Sequence, residues 1–289
     1  PPPPPPHCNA PAPPDTSTGD TSSAASDVYK RQAGILLTTL AIYTIVNRGT
    51  GGPAAKDEAA RVEEPMGQRS GFALVFASRY ILMIAGLMIL LNLVNTTGEY
   101  ILSRLVVSHA DAALAADPTF DTNAYIGAFY GNFFFWVNIV AVGFQLFLVS
   151  RLVKYLGLAG VLFALPLTSF AAYGLIAVGV TSLGLVRWLK TAENATDYSV
   201  MNTARQLLWL PTTREEKYKA KQAVDSFFVR LGDLVSAVVV FVGTTWLALE
   251  TRGFALLNVG VILVWIALAV VLVRENRRLS AKQDESKAA

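Results

Sequence analysis

Charge is scarce in this chain. Only 16% of its 289 residues are Asp, Glu, Lys or Arg, against 53% hydrophobic, and mean hydropathy is +0.43. Soluble domains carry roughly 25% charged residues, so the shortage argues against one. Cysteine is nearly absent: Cys8 is alone, which excludes a disulfide framework and a cysteine-based metal site. Histidine is almost as rare, and His109 in a predicted loop reads as surface rather than as a ligand. Walker loops, G-x-S-x-G, H-E-x-x-H and paired-cysteine motifs are missing, so nothing implies an enzyme or a cofactor. The net charge of +3 suggests nucleic acid only until the distribution of the bases along the chain is considered.

What is present comes in blocks. A short apolar run, Ala33 to Val46, is too brief to cross a bilayer at about 1.5 Å per residue. A polar linker over 48–70 follows, with as many acids as bases. Six longer runs then read as membrane spans near 72–105, 124–149, 155–176, 180–209, 214–248 and 254–274. With the linker placed in the cytoplasm, the inward connections hold Arg151 and Lys154, then Arg214, Lys217, Lys219 and Lys221, then the basic tail 275–289. The opposite connections hold Asp111, Asp117 and Asp121, then Glu250 with Arg252. Bases gather on one side, which is the pattern expected of cytoplasmic loops, and the C-terminus falls there too. The class is an all-α membrane protein in a bacterial inner membrane, with lipid and no nucleic acid as partner. Pro211 is expected to end one helix, and Thr213 with Glu216 to form the capping box that opens the next.

Polar side chains inside the apolar runs are costly in lipid and mark candidate functional positions. Asn92, Asn95 and Glu99 recur on one helical face of the first long span. Lys190, Glu193 and Asp197 do so in the fourth, with Asn194, Tyr198 and Arg205 on an adjoining face. Asp225, Arg230 and Asp233 lie in the fifth, and Asn132, Asn138 and Gln145 in the second beside the aromatic run "NFFFW". Acids and bases from three helices converging on a water-filled path would favour transport of a small anionic solute. Lys190, Glu193 and Asp197 equally suit a network that locks helices together, and "FFFW" suits lipid contact or core packing.

The segments "LNLVNTTGEYILSRLV" (91–106) and "ENATDYSVMNTARQLLWLPTTREEKYKAKQAVDSFFVRLGDLVSA" (193–237) carry a resemblance to the bacterial and plastid ATP/ADP translocase family, related to the major facilitator superfamily. The resemblance implies a twelve-helix, two-lobed carrier working by alternating access on ATP and ADP. The six spans of 71–274 then correspond to the C-terminal lobe, and residues 33–47 to a truncated sixth helix whose own N-terminal lobe is missing. The chain departs from the family pattern at two places. Asn95 and Glu99 stand where the nucleotide exchangers have an acid and a base, and Asp233 stands where they have a lysine. Losing two lysines removes charge suited to phosphate, which Lys190, Arg205 and Arg230 would have to supply.

Two other functions stay open at this point. One is a proton-coupled carrier of another solute, with Glu99, Glu193, Asp197 and Asp233 as relay acids. The other is a non-transporting scaffold or sensor, in which the buried charges pair fully and leave no central cavity. Residues 1–32 are read separately. Their proline-rich, low-complexity composition buries nothing, and Ser22 to Gln32, "SSAASDVYKRQ", back-translates without a gap into a transposase-type sequencing adapter.

Overall fold

The computed structural model describes residues 30, 32–45 and 67–288; the side chains of 284 and 286–288 are not described. The adapter reading of 1–32 and the linker 48–70 therefore lie almost wholly outside the described residues. Two units are described separately. The first contributes one helix, α1, Gln32–Ile45, an apolar segment shorter than a membrane span. The second holds the remaining helices, and no strand occurs among the described residues.

The second unit opens with two helices where one run of apolar residues was expected. α2 (Gly71–Ala77) is capped by the Ser70 hydroxyl and meets α3 (Arg79–Ala116) at Ser78. Ser78 adopts an extended backbone, and its side chain caps α3 through the Ile81 amide. α3 runs past the expected end near 105 to Ala116, so Asp111 sits in the helix rather than in the loop after it. The turn beyond it closes on Asp117. Its carboxylate accepts from the Thr119 hydroxyl at 2.7 Å and amide at 2.9 Å, which holds the group below the usual carboxylate range.

α4 spans Thr122–Ala177, 56 residues that would extend about 84 Å if unbroken, far beyond an apolar core of about 30 Å. It is broken at Gly157, whose φ of +61° and ψ of −150° lie outside helical geometry and favour a residue without Cβ. The connection expected around 150–154 is instead helical, and the chain turns at Gly157. A π turn at Phe144–Leu148 precedes the break. α5 (Leu183–Leu208) contains a second π turn, Asp197–Met201. The predicted capping box is present: Glu216 accepts from the Thr213 amide at 2.8 Å, while Thr213 accepts from the Glu216 amide at 3.4 Å. It opens the helix containing α6 (Glu216–Thr245), and α5 stops at Leu208, three residues before Pro211. α7 (Thr251–Ala288) carries the helix through the segment expected to be a tail.

Four of these helices, α3, α4, α6 and α7, are long and apolar enough to cross a membrane. α5 is not among them, because its charged residues interrupt the apolar run. α3 is the hub, packing against α2, α4, α5, α6 and α7. In lipid, helices gain little from hydrophobic association with one another, and polar contacts between them count for more. Thr97 donates to Asn258 Oδ1 at 2.5 Å, joining α3 to α7. The Tyr80 hydroxyl donates to the Leu208 carbonyl and accepts from Asn276, both at 2.7 Å, tying α3, α5 and α7 at one end. At the other end Arg104 donates to Leu249 O and Arg252 to Ala177 O. Outward-facing Phe134, Phe135, Ile139, Val142, Leu146 and Phe147 give α4 an apolar exterior, while Phe133 alone of the "FFFW" run enters the core.

Candidate functional site

Lys190 is the centre of the polar interior. Its side chain is 1% exposed, and its ammonium lies 2.8 Å from Glu193 and 3.3 Å from Glu99 on α3. Glu193, 3% exposed, also accepts from the Tyr173 hydroxyl at 2.8 and 3.0 Å and from Ser169 at 2.9 Å, both on α4. Asn194 donates to Glu99 at 2.9 Å. Three helices are thus joined through one ammonium and two carboxylates, each charge hydrogen-bonded as burial demands.

Two local features make this geometry possible. Gly98 leaves the space above it to the Tyr173 hydroxyl and the Lys190 ammonium; a Cβ there would overlap the first and stand 2.9 Å from the second. The π turn at Asp197–Met201 changes the phase of α5. In an unbroken α-helix, residues eight apart are about 80° out of line. Across the widened turn, Arg205 reaches back to Asp197 at 2.8 Å.

The sequence reading placed Asn92, Asn95, Glu99, Lys190, Glu193, Asn194, Asp197, Tyr198, Arg205, Asp225, Arg230 and Asp233 on one path. The structure joins Glu99, Lys190, Glu193 and Asn194 directly, with the Asp197–Arg205 pair beside them. Asn95 lines a small cavity with Glu193, Asp197, Ser169 and Trp265. That cavity is about 10 Å³, room for one water at most. Asn92 donates to its own helix at Met88 O, and Tyr198 faces outward.

The α6 residues stand apart from this cluster. Asp225 pairs locally with Lys221 at 3.3 Å, and Arg230 with Asp233 at 3.2 Å. Ser169 and Tyr173 were not anticipated; the available signal was two hydroxyls at i, i+4 on one face of an otherwise apolar segment. The central cluster holds Glu99, Glu193 and Asp197 against Lys190 and Arg205, one acid in excess. Its three carboxylates are all ion-paired or hydrogen-bonded and it encloses almost no free space, so its contacts join the three helices.

A family profile described as "TLC ATP/ADP transporter" matches residues 35–276. The chain is 26% identical over 262 residues to ADP,ATP carrier protein 1 of Chlamydia trachomatis serovar D, covering 81% of this chain and 47% of that protein. To ADP,ATP carrier protein 1 of Chlamydia muridarum it is 26% identical over 262 residues, covering 81% and 46%. The corresponding protein of Chlamydia pneumoniae is 26% identical over 251 residues, covering 77% and 46%. The chain spans about half the length of the curated relatives it matches. No solved structure matches it.

Proposed function

The chain belongs to the TLC ATP/ADP transporter family, and from that premise we propose that it is a six-span C-terminal lobe of an alternating-access carrier exchanging ATP and ADP. The two pieces of α4 around Gly157, together with α3, α5, α6 and α7, supply the six spans. The distribution of bases supports a cytoplasmic 209–215 hairpin and a cytoplasmic C-terminal end of α7, in a bacterial inner membrane.

One observation carries the transport reading beyond family membership. The Arg230–Asp233 pair sits at the middle of the 30-residue α6, with side chains 83% and 39% exposed. A charge inside a span costs up to roughly 2.5–3.5 kcal/mol against lipid, falling toward its ends, so this face is better matched to a polar surface than to lipid. Carriers built from repeated lobes place the solute near the membrane midplane, between the lobes. An exposed arginine within a span is what one lobe would offer a nucleotide's phosphates there. The N-terminal lobe of the same protein supplies the rest of the site. Asn92, Asn95, Tyr198 and Asp225 are the remaining candidates for its lining.

A scaffold with a degenerate carrier lobe would also show the paired Lys190 cluster, and exchange separates the two readings. Proteoliposomes containing the full-length protein, loaded with ADP, are expected to take up labelled ATP in counter-exchange. No exchange with any adenine nucleotide would contradict the substrate. Uptake driven by a pH gradient and insensitive to internal ADP would move the assignment to proton coupling.

A further inference from the structure

A second pocket lies outside the Lys190 cluster. It lies one turn of α5 away from that cluster, where α3 ends, and has a volume of about 540 Å³, within the roughly 300–1,000 Å³ typical of small-molecule sites. Its lining comes from the end of α3 (His109), the start of α4 (Tyr125, Phe129, Asn132) and the first turns of α5 (Ser182, Arg187). The lining holds two basic side chains and no carboxylate, the reverse of the acid excess around Lys190, one turn along α5 from Arg187.

Arg187 is held in place from several directions. One terminal nitrogen donates to Asn132 Oδ1. The guanidinium lies over the Phe129 ring at 5.9 Å and the Trp188 ring at 5.4 Å, contacts that fix its plane. Its Nε is enclosed and has no hydrogen-bond partner among the described residues. His109 directs Nδ1 at Leu105 O, 2.9 Å away, which leaves Nε2 as its other polar atom.

We infer that this pocket binds a phosphate-bearing ligand, its phosphate on Arg187 and its remaining body against Tyr125 and Phe129. A planar guanidinium at the pocket wall presents N–H donors in pairs to phosphate oxygens, which an ammonium does not. The site is separate from the inter-lobe cavity and adds a binding step at one mouth of the lobe. A soluble phosphate ester and an anionic lipid headgroup share this chemistry, and the test separates them.

Arg187→Gln removes the guanidinium. Gly184→Leu fills the pocket from a lining position where an added Cβ meets nothing within 4 Å, so the fold is retained. The full chain in phosphatidylcholine nanodiscs is titrated with labelled ADP, using inorganic phosphate and adenosine as competitors. Saturable binding displaced by phosphate but not by adenosine, and weakened at least tenfold by both substitutions, is the expected result. In a second arm, discs contain phosphatidylglycerol and the retained lipid is counted by native mass spectrometry. Lipid retention that both substitutions abolish, without ADP binding, also sustains the site and assigns its phosphate to the membrane. ADP binding and lipid retention both indifferent to Arg187→Gln and Gly184→Leu overturn the proposal. Failure of nucleotide exchange in the full-length protein would leave these readings unaffected, so the two proposals fail separately.

Discussion

Lys190–Glu193 on α5 and Arg230–Asp233 on α6 are the same motif, a base followed three residues later by an acid, each inside a helix of a membrane protein. Their fates differ. The first pair is 1% and 3% exposed, lies 2.8 Å apart and recruits Glu99, Tyr173 and Ser169 from two neighbouring helices. The second is 83% and 39% exposed, lies 3.2 Å apart, and has no partner on another helix among the bonds described. Spacing brings the two charges together in both cases; the neighbouring helices decide whether the pair holds the fold or stays available to a solute. The buried pair joins three helices, and the exposed pair is the one we propose meets the cargo.

The largest effect should come from unbalancing the buried pair. Lys190→Met leaves Glu193 and Glu99 facing each other without their cation and should cost about 3–5 kcal/mol, read from unfolding in mixed detergent–SDS micelles. A loss below about 1 kcal/mol would mean that the cluster is far wetter than its burial indicates. Gly98→Ala should follow at about 1–3 kcal/mol, because the new methyl group displaces the Tyr173 hydroxyl. The same micelle titration reads it, and a neutral result would show that Tyr173 can withdraw freely. Tyr173→Phe removes one donor while Ser169 and Lys190 still serve Glu193, so about 1 kcal/mol is expected. Smallest of all, Arg230→Gln should shift stability by no more than about 0.5 kcal/mol, as exposed ion pairs do. A double-mutant cycle on each pair sharpens the contrast, with clear coupling for Lys190–Glu193 and almost none for Arg230–Asp233.

Much of this was legible before the structure. Period-3.6 placement of Lys190, Glu193 and Asp197, and of Asn92, Asn95 and Glu99, marks two polar faces that do meet through Glu99 and Lys190. The Thr213–Glu216 cap could be read from four residues because a capping box is local. Tyr173 and Ser169 could not, since their role comes from helix packing and both are common in apolar runs. Gly157 also escaped notice: the bases Arg151 and Lys154 suggested a loop, while the actual break depends on one backbone conformation three residues later. The π turn at Asp197–Met201 leaves no sequence mark, yet it sets whether Arg205 faces Asp197. Arg230 and Asp233 were grouped with the interior charges because spacing alone does not show which face of α6 is covered.

The comparison is tested most directly by nucleotide exchange in the full-length protein, with Arg230→Gln assayed beside wild type in ADP-loaded proteoliposomes. The account predicts that the variant folds with unchanged stability and loses at least tenfold in the rate of ATP uptake. Wild-type exchange with an undiminished rate in Arg230→Gln would contradict it.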